Sequence, residues 1–355
     1  MNIENLHREF ITSLNIEQKT KLLTILKNRT SKSDEIKVLL SSILTNTDTS
    51  ESVSKIQETR FSHGLFCPKC GCTENIVRAG KGVNKKQRYL CKNCSRIFTP
   101  TTYTFLSSTK KDYDVWKKYI QCMVRKLSIR KSAEECNITV RTAFMLRHKI
   151  LDALRLSDKT ELKGVIESDE TYFRVSYKGS KPIDRRPRKR CGRCSIRGLS
   201  REQVCIPCAI ERETKSSISK IGGLGKPSRK TIENVFSNKF KEKSVLCTDK
   251  EKSYIKFAQS SELEHIRLEE YKSKKGIYHI NHINSFHTRL KRFIDRFNGV
   301  SAKHLNNYLT WNSVICENSS RNTESFTIDK TWSLGLQNIG STLYQDVSSR
   351  PSIPM

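Results

Sequence analysis

Two Cys-x-x-Cys pairs, Cys67-Pro68-Lys69-Cys70 and Cys91-Lys92-Asn93-Cys94, stand 20 residues apart and constrain this chain more than any other feature. Each pair sits on a tight turn that aims two thiolates at one point, and four sulfurs complete a closed tetrahedral zinc site. Between them Gly80, Lys81, Gly82, Lys85, Lys86, Arg88 and Tyr89 read as a basic β-hairpin, so residues 61–107 are expected to form a zinc ribbon with structural zinc. Cys72 is left outside this set as a bystander. The chain has thirteen cysteines, and its start, Met1-Asn2-Ile3-Glu4-Asn5, lacks the apolar segment of a secretory signal. Thiols or metal ligands are therefore expected rather than disulfides, in a cytoplasmic, nucleoid-associated protein.

Charge narrows the partner. Lys and Arg number 66 against 36 Asp and Glu, a formal net charge of +30, with a pI near 9.7. Such a balance points to a polyanion, and nucleic acid is the commonest one. No apolar run approaches the roughly 20 residues a membrane helix needs, so no membrane partner is expected. With 355 residues, several domains are expected at roughly 100–200 residues each.

Residues 1–60 are read as a helical lead-in, from Leu22, Leu23, Ile25 and Leu26 and from Ile36, Leu39, Leu40 and Ile43 at helical spacing. Residues 110–156 read as three helices: one with Val115, Tyr119 and Met123 on a face, one over Lys131–Cys136, and one over Val140–Leu154 after the turn Asn137-Ile138-Thr139. A short turn before a basic last helix suggests a helix-turn-helix, with Arg141, Arg147 and Lys149 as candidate DNA contacts.

From Leu162 the pattern turns strand-like. Strands are expected over Val165–Phe173, Gln203–Glu211, Ser217–Gly222, Val245–Asp249 and His265–Leu268. Helices are expected over Ser228–Phe240, around Tyr254 and Phe257, and over Asn281–Phe297, giving the order β-β-β-α-β-α-β-α. Asp169 then falls in the first strand and Asp249 at the end of the fourth. Two aspartates on neighbouring strands suit two-metal phosphoryl transfer, because hard carboxylate oxygens hold Mg²⁺ or Mn²⁺. A third ligand is wanted from the last helix, and Asn284 stands 35 residues after Asp249, at the edge of the stripe Ile283, Phe286, Leu290, Phe293 and Phe297.

Taken together, the ribbon running into Phe98-Thr99-Pro100-Thr101-Thr102-Tyr103-Thr104, the helix-turn-helix, Ser168-Asp169-Glu170-Thr171-Tyr172, Thr248-Asp249 and the segment Phe297–Leu309 resemble the zinc-ribbon insertion-sequence transposases of the ISXO-like group, over residues 60–315. The resemblance implies a multidomain α+β chain whose residues 162–315 have the RNase H-like mixed-sheet fold. It implies a DNA transposase that binds terminal inverted repeats of double-stranded DNA, nicks 3′ ends and joins them to a target, with Asp169, Asp249 and Asn284 in the catalytic triad. The usual third residue is Glu, and some members carry Asn. The alternative is a catalytically inactive or domesticated DNA-binding regulator. Action on two ends suggests a homo-oligomer.

Several residues have a plainer reading. Glu167 is expected on a solvated strand edge, and His279, His282 and His287 in surface polar contacts; His304 is expected to cap or pack the final helix. The run with Arg185, Arg186, Arg188, Lys189 and Arg190 is read as a DNA phosphate track, with a steep salt dependence of binding. Cys191, Cys194, Cys205 and Cys208 have the spacing of a second zinc site. However, residues three apart in a strand face opposite ways, so unconnected thiols are expected. Residues 316–355, rich in Ser, Thr and Asn, read as a weakly ordered tail.

Overall fold

The computed structural model describes residues 54–82, 86–158, 160–179, 194–268, 274–319, 324–337 and 340–353. The lead-in up to residue 53 and the basic run 185–190, with Cys191, lie outside the described residues. The chain divides into two compact units, Met1–Thr102 and Tyr103–Met355.

In the first unit, residues 54–60 are helical and lead into a three-stranded antiparallel meander: β1 (Ile76–Lys81), β2 (Gln87–Cys91) and β3 (Arg96–Phe98). Alternation along β2 turns Tyr89 and Cys91 inward, where Tyr89 stacks on Phe98 with ring centroids 5.5 Å apart. A core this small is completed by Phe61, Leu65 and the cysteines themselves. Gly71 has φ +75, a conformation glycine adopts without strain, and its N–H donates to the Cys67 carbonyl at 2.8 Å. That bond closes the first cysteine turn.

The second unit begins with α1 (Tyr113–Val124), α2 (Ile129–Glu135) and α3 (Val140–Ser157). Ser128 and Thr139 cap α2 and α3 by accepting from the N–H groups of Lys131 and Thr142. Trp116, Tyr119, Ile120 and Met123 of α1 are buried, and the Tyr119 hydroxyl donates to the Ala143 carbonyl of α3 at 2.6 Å.

The sheet that follows contains β4 (Val165–Arg174), β5 (Gln203–Glu211), β6 (Ser217–Ser219), β7 (Gly223–Leu224), β8 (Val245–Thr248) and β9 (Glu264–Arg267). Its order is β6-β5-β4-β8-β9, with β7 also on β5. β5 runs antiparallel to β4, while β4, β8 and β9 are parallel, so the sheet is mixed. The β4–β5 register is unbroken from Ile166↔Glu211 to Arg174↔Gln203. Pro207 causes no slip, because β7 pairs with residues 204–205 and β6 with 208–210, leaving Pro207 in the gap where no ladder N–H is needed. A Cβ on Gly222 would stand 2.5 Å from Thr231 Cγ2 and 2.9 Å from Pro207, so only glycine fits beside that gap.

One sheet face carries Ile166, Ala209 and Leu246 against α4 (Arg229–Phe236) and α5 (Ser253–Ser260), through Ile232, Phe236, Tyr254 and Phe257. After the two-stranded β10 (Lys274–Lys275) and β11 (Tyr278–His279), α6 (Asn281–Asp295) buries Ile283, Phe286 and Leu290. α7 (Ala302–Ser319) follows, and the Asn306 side chain accepts from the Ile221 N–H at 2.8 Å.

The expected tail is instead part of this unit. α8 (Glu324–Gln337) buries Ile328, Trp332 and Leu336, with Trp332 edge-on to Phe105. After α9 (Tyr344–Ser348), Arg350 pairs with the Asp152 carboxylate of α3, which also accepts from Asn307 at 2.7 Å and Thr342 at 2.8 Å. A Ser/Thr-rich composition hid three apolar anchors, Ile328, Trp332 and Leu336, at helical spacing. The three-helix segment likewise shares one unit with the sheet rather than standing as its own domain.

Candidate functional site

Alternation along β4 sends Glu167, Asp169 and Thr171 to one face of the sheet and Ser168 and Glu170 to the other. The first face is the one α6 covers. Glu167 is fully buried there, which corrects the expected solvated edge. Its Oε2 accepts from the N–H groups of His282 at 2.8 Å and Ile283 at 3.2 Å, the first turn of α6. Its Oε1 lies 2.7 Å from His282 Nδ1 and accepts from Arg212 Nε at 3.2 Å and Nη2 at 3.0 Å. Arg212 in turn donates to the carbonyls of Ile277 and His279. A carboxylate at a helix N-terminus satisfies orphan donors and complements the helix dipole. Glu167 therefore fixes where α6 starts against β4.

That anchoring places the next turns of α6 over Asp169. His287 is buried, with Nδ1 3.7 Å from Asp169 Oδ2, and its Nε2 has no hydrogen-bond partner. Burial pushes the His287 imidazole down to about 4, assisted by the Lys291 charge, while a hydrogen bond to the Asp169 backbone acts the other way. The ring is neutral at physiological pH. Asn284, His287 and Lys291 fall at i, i+3 and i+7, one stripe of the helix. Asn284 is exposed at the outer end of that stripe. Sequence reasoning undervalued His287 and missed Lys291; their spacing from Asn284 was the available signal.

Asp169 is 23% exposed at its side chain, and Oδ1 accepts from the Glu170 N–H at 2.8 Å. Burial pushes its carboxyl up to about 6, and the Asp249 charge pushes the same way, against the Glu170 N–H and Lys291. Asp249 follows β8 directly, and its Oδ1 accepts from the Glu251 N–H at 2.9 Å. By strand alternation it continues the face of Cys247, the same face as Glu167. On the opposite face Glu170 is pushed up to about 8, chiefly by burial. Its neighbours there are Tyr254 and Ser168, whose hydroxyls lie 3.1 Å apart. The Asp169 carboxyl is thus raised by its partial burial and by a second acid close enough to add to the shift. Hard oxygen donors of this kind fit Mg²⁺ or Mn²⁺.

Among the described residues, two His/Cys/Asp/Glu groups lie close enough to share one ion: Cys67, Cys70, Cys91 and Cys94, and Glu167, His279 and His282. The cysteine quartet has Sγ–Sγ separations of 3.6 Å (Cys67–Cys94) and 3.7 Å (Cys70–Cys91). Those are close to the edge of about 3.8 Å that 2.3 Å zinc–sulfur bonds would give. In the second group the positive partner is already Arg212. Cys205 and Cys208 pair with Tyr172 and Asp169 and so face opposite sides of the sheet, as expected.

Of the helix-turn-helix contacts, Arg147 and Lys149 must be corrected. Arg147 is fully buried, donating to the Leu127 carbonyl at 2.8 Å and Ser132 Oγ at 3.1 Å, with the rings of Tyr119, Phe297 and Trp311 within 5.8 Å of its guanidinium. Lys149 is buried and donates to the Ser107 carbonyl. α3 is a core helix of its unit, packed by α7 and α8, and only its two ends, the first turn and Arg155–Leu156, face outward. Val140 in the first turn is 50% exposed, and exposed Arg141 lies 4.9 Å from the Tyr344 ring centre.

Asp169 in β4 and Asp249 just after the neighbouring parallel β8 thus share the sheet face that α6 covers. Residues 161–311 match the family described as the ISXO2-like transposase domain. The chain is also 24% identical over 257 residues to an uncharacterized protein in transposable element ISH50 of Halobacterium salinarum, covering 72% of this chain and 86% of that one. Both findings support an insertion-sequence transposase of this group. A pre-cleavage Mos1 transpososome structure aligns at 9% identity over 64% of this chain and 82% of that one, with a TM-score of 0.21. No helix among the described residues is long and apolar enough to cross a membrane.

Proposed function

We propose that this transposase binds the terminal inverted repeats of its element and carries out Mg²⁺- or Mn²⁺-dependent strand cleavage and strand transfer, with an RNase H-like catalytic domain. The observation that carries this reading is the pair Asp169 and Asp249, with the Asp169 carboxyl pushed up to about 6 by burial and by the second acid. Asp169, Asp249 and the Asn284 amide oxygen would hold the divalent ions. Bound divalent ions supply charge neutralisation and activation of the attacking oxygen, first of water and then of a 3′-hydroxyl. Asp169 in β4 and Asp249 just after β8 would orient that site, and Glu167 holds the start of α6, the helix that carries Asn284. The buried His287 packs beside Asp169 without adding charge. The cysteine quartet would hold structural zinc, and the first turn of α3 with Arg141 would meet DNA.

A second reading rests on Asn284, a neutral and weaker ligand than the usual Glu: a regulator that binds DNA without cutting it. Purified protein, labelled duplexes from the flanking DNA, and Mg²⁺ or Mn²⁺ separate the two. Cleavage at a defined end that disappears in Asp249→Ala supports the transposase. Specific binding without cleavage, restored to cleavage by Asn284→Glu, supports the regulator. Size-exclusion chromatography with light scattering on the end-bound complex tests for the homo-oligomer.

A further inference from the structure

We infer that the cleft between the first turn of α3 and the C-terminal segment is a nucleotide subsite. It takes one unpaired nucleotide of a DNA strand, with Tyr344 as the ring on which the base stacks. The subsite deepens the proposed function and rests on its reading that the first turn of α3 meets DNA.

The cleft encloses about 400 Å³, all within the second unit. Its rim carries exposed Lys110, Lys111 and Arg141. Leu343 and Tyr344 line it too, 51% and 50% exposed. Trp116 lines the same cleft, fully buried, and its indole Nε1 has no hydrogen-bond partner. A buried donor left without an acceptor calls for an explanation, and an acceptor-rich occupant of the cleft supplies one.

Tyr344 is held by its neighbours rather than carried on a loose tail. The Leu343 N–H donates to Asp346 Oδ2 at 2.6 Å, and Val347 is buried. The Thr342 hydroxyl donates to Asp152 Oδ2 of α3 at 2.8 Å. The Arg141 guanidinium stands 4.9 Å from the Tyr344 ring centre, so a cation of α3 already lies against the ring.

The chemistry of the occupant follows from this lining. Three cations and the positive end of α3 favour an anion, which argues against a neutral peptide face. Leu343 and Tyr344 favour a flat apolar group, which argues against a bare phosphate. A nucleotide offers both, and its base has a face to give only once it has left the duplex stack.

The test uses the full-length protein and fluorescence anisotropy on two duplexes from the flanking DNA. One is blunt, and one has a short single-stranded overhang carrying 2-aminopurine. Wild type should bind the overhang duplex about tenfold more tightly than the blunt one and quench the 2-aminopurine. Tyr344→Phe should keep that ratio, and Tyr344→Ala should bring it close to one. Failure of wild type to bind either duplex removes the DNA reading, and the subsite with it. Equal binding of both duplexes, or an unchanged ratio in Tyr344→Ala, overturns the subsite alone. So does an abasic overhang bound as tightly as the ordinary one, since phosphates would then account for the gain. If Tyr344→Ala fails to fold, the double variant Lys110→Ser, Lys111→Ser decides. A ratio near one there supports the subsite, and a retained ratio overturns it.

Discussion

Glu167 and Asp169 stand two residues apart on one face of one strand, under one helix, and differ in what surrounds them. Glu167 is met by two backbone N–H groups of α6, the Arg212 guanidinium and His282, all at 3.2 Å or less. Asp169 is met by one neighbouring N–H, a neutral imidazole and a second acid. The first carboxylate is compensated by its own chain and holds the fold. The second stays raised beside another acid despite the Lys291 charge, and a perturbed, part-exposed acid is a candidate for a site that acts on something rather than one that supports the fold. Burial alone does not mark this difference, because Glu167 is the more deeply buried of the two.

The sharpest way to break this contrast is to remove one acid from each cluster. On the proposed reading, Asp249→Ala abolishes strand cleavage and transfer while leaving duplex affinity unchanged in a gel-shift titration. Equal loss of binding and cleavage would show that the acid pair serves structure. Glu167→Ala should do the opposite in kind. Arg212 and the first turn of α6 lose their partner, and chemical denaturation should show a loss of about 3–5 kcal/mol, the usual cost of breaking a buried ion pair. An unchanged midpoint would mean that α6 is held by its apolar stripe alone.

A subtler effect follows from the raised Asp169 carboxyl. An acid whose folded value lies above its unfolded one destabilises the fold once both states are ionised. For Asp169 that penalty is full above about pH 6, fades as pH falls, and vanishes below the ordinary value of 3.8. Asp169→Asn should therefore stabilise the metal-free protein by about 1–3 kcal/mol at pH 7.5 and by almost nothing near pH 3.5. Thermal melts in chelator at the two pH values check this. Equal stabilisation at both would trace the effect to packing rather than charge.

How legible each part was depends on how far apart its residues lie in the chain. The ribbon was readable because its four ligands are spaced by turns within 28 residues, Cys67 to Cys94. Strands and helices from Val165 to Asp295 were readable from alternation and from the α6 stripe, and the observed elements keep the expected order. The sequence did not reveal which carboxylate would be neutralised. Arg212 reaches Glu167 only through the β4–β5 pairing, and the α6 N-terminus reaches it across 115 residues. The last 40 residues misled for a related reason. Trp332, Leu336 and Val347 are too sparse to outweigh their polar surroundings until α3 and Phe105 provide a surface for them.

The smallest expected effect extends the contrast between enclosed and part-exposed charge to the arginines of α3. Arg147 is enclosed by Leu127, Ser132 and three aromatic rings, whereas Arg141, under two helical turns away, is exposed in the first turn. A guanidinium enclosed by its own protein releases no counterion from DNA, while an exposed one that meets a phosphate releases about one. If the first turn of α3 meets DNA, Arg141→Ala should weaken end binding by about 1–2 kcal/mol and lower the slope of log affinity against log salt by about one. Arg147→Met should leave that slope unchanged and act only on stability. Fluorescence anisotropy at several salt concentrations separates them. An unchanged slope in Arg141→Ala would move the DNA surface away from the first turn of α3 and onto other exposed basic residues of the same unit, with Lys131 and Arg130 the nearest in sequence.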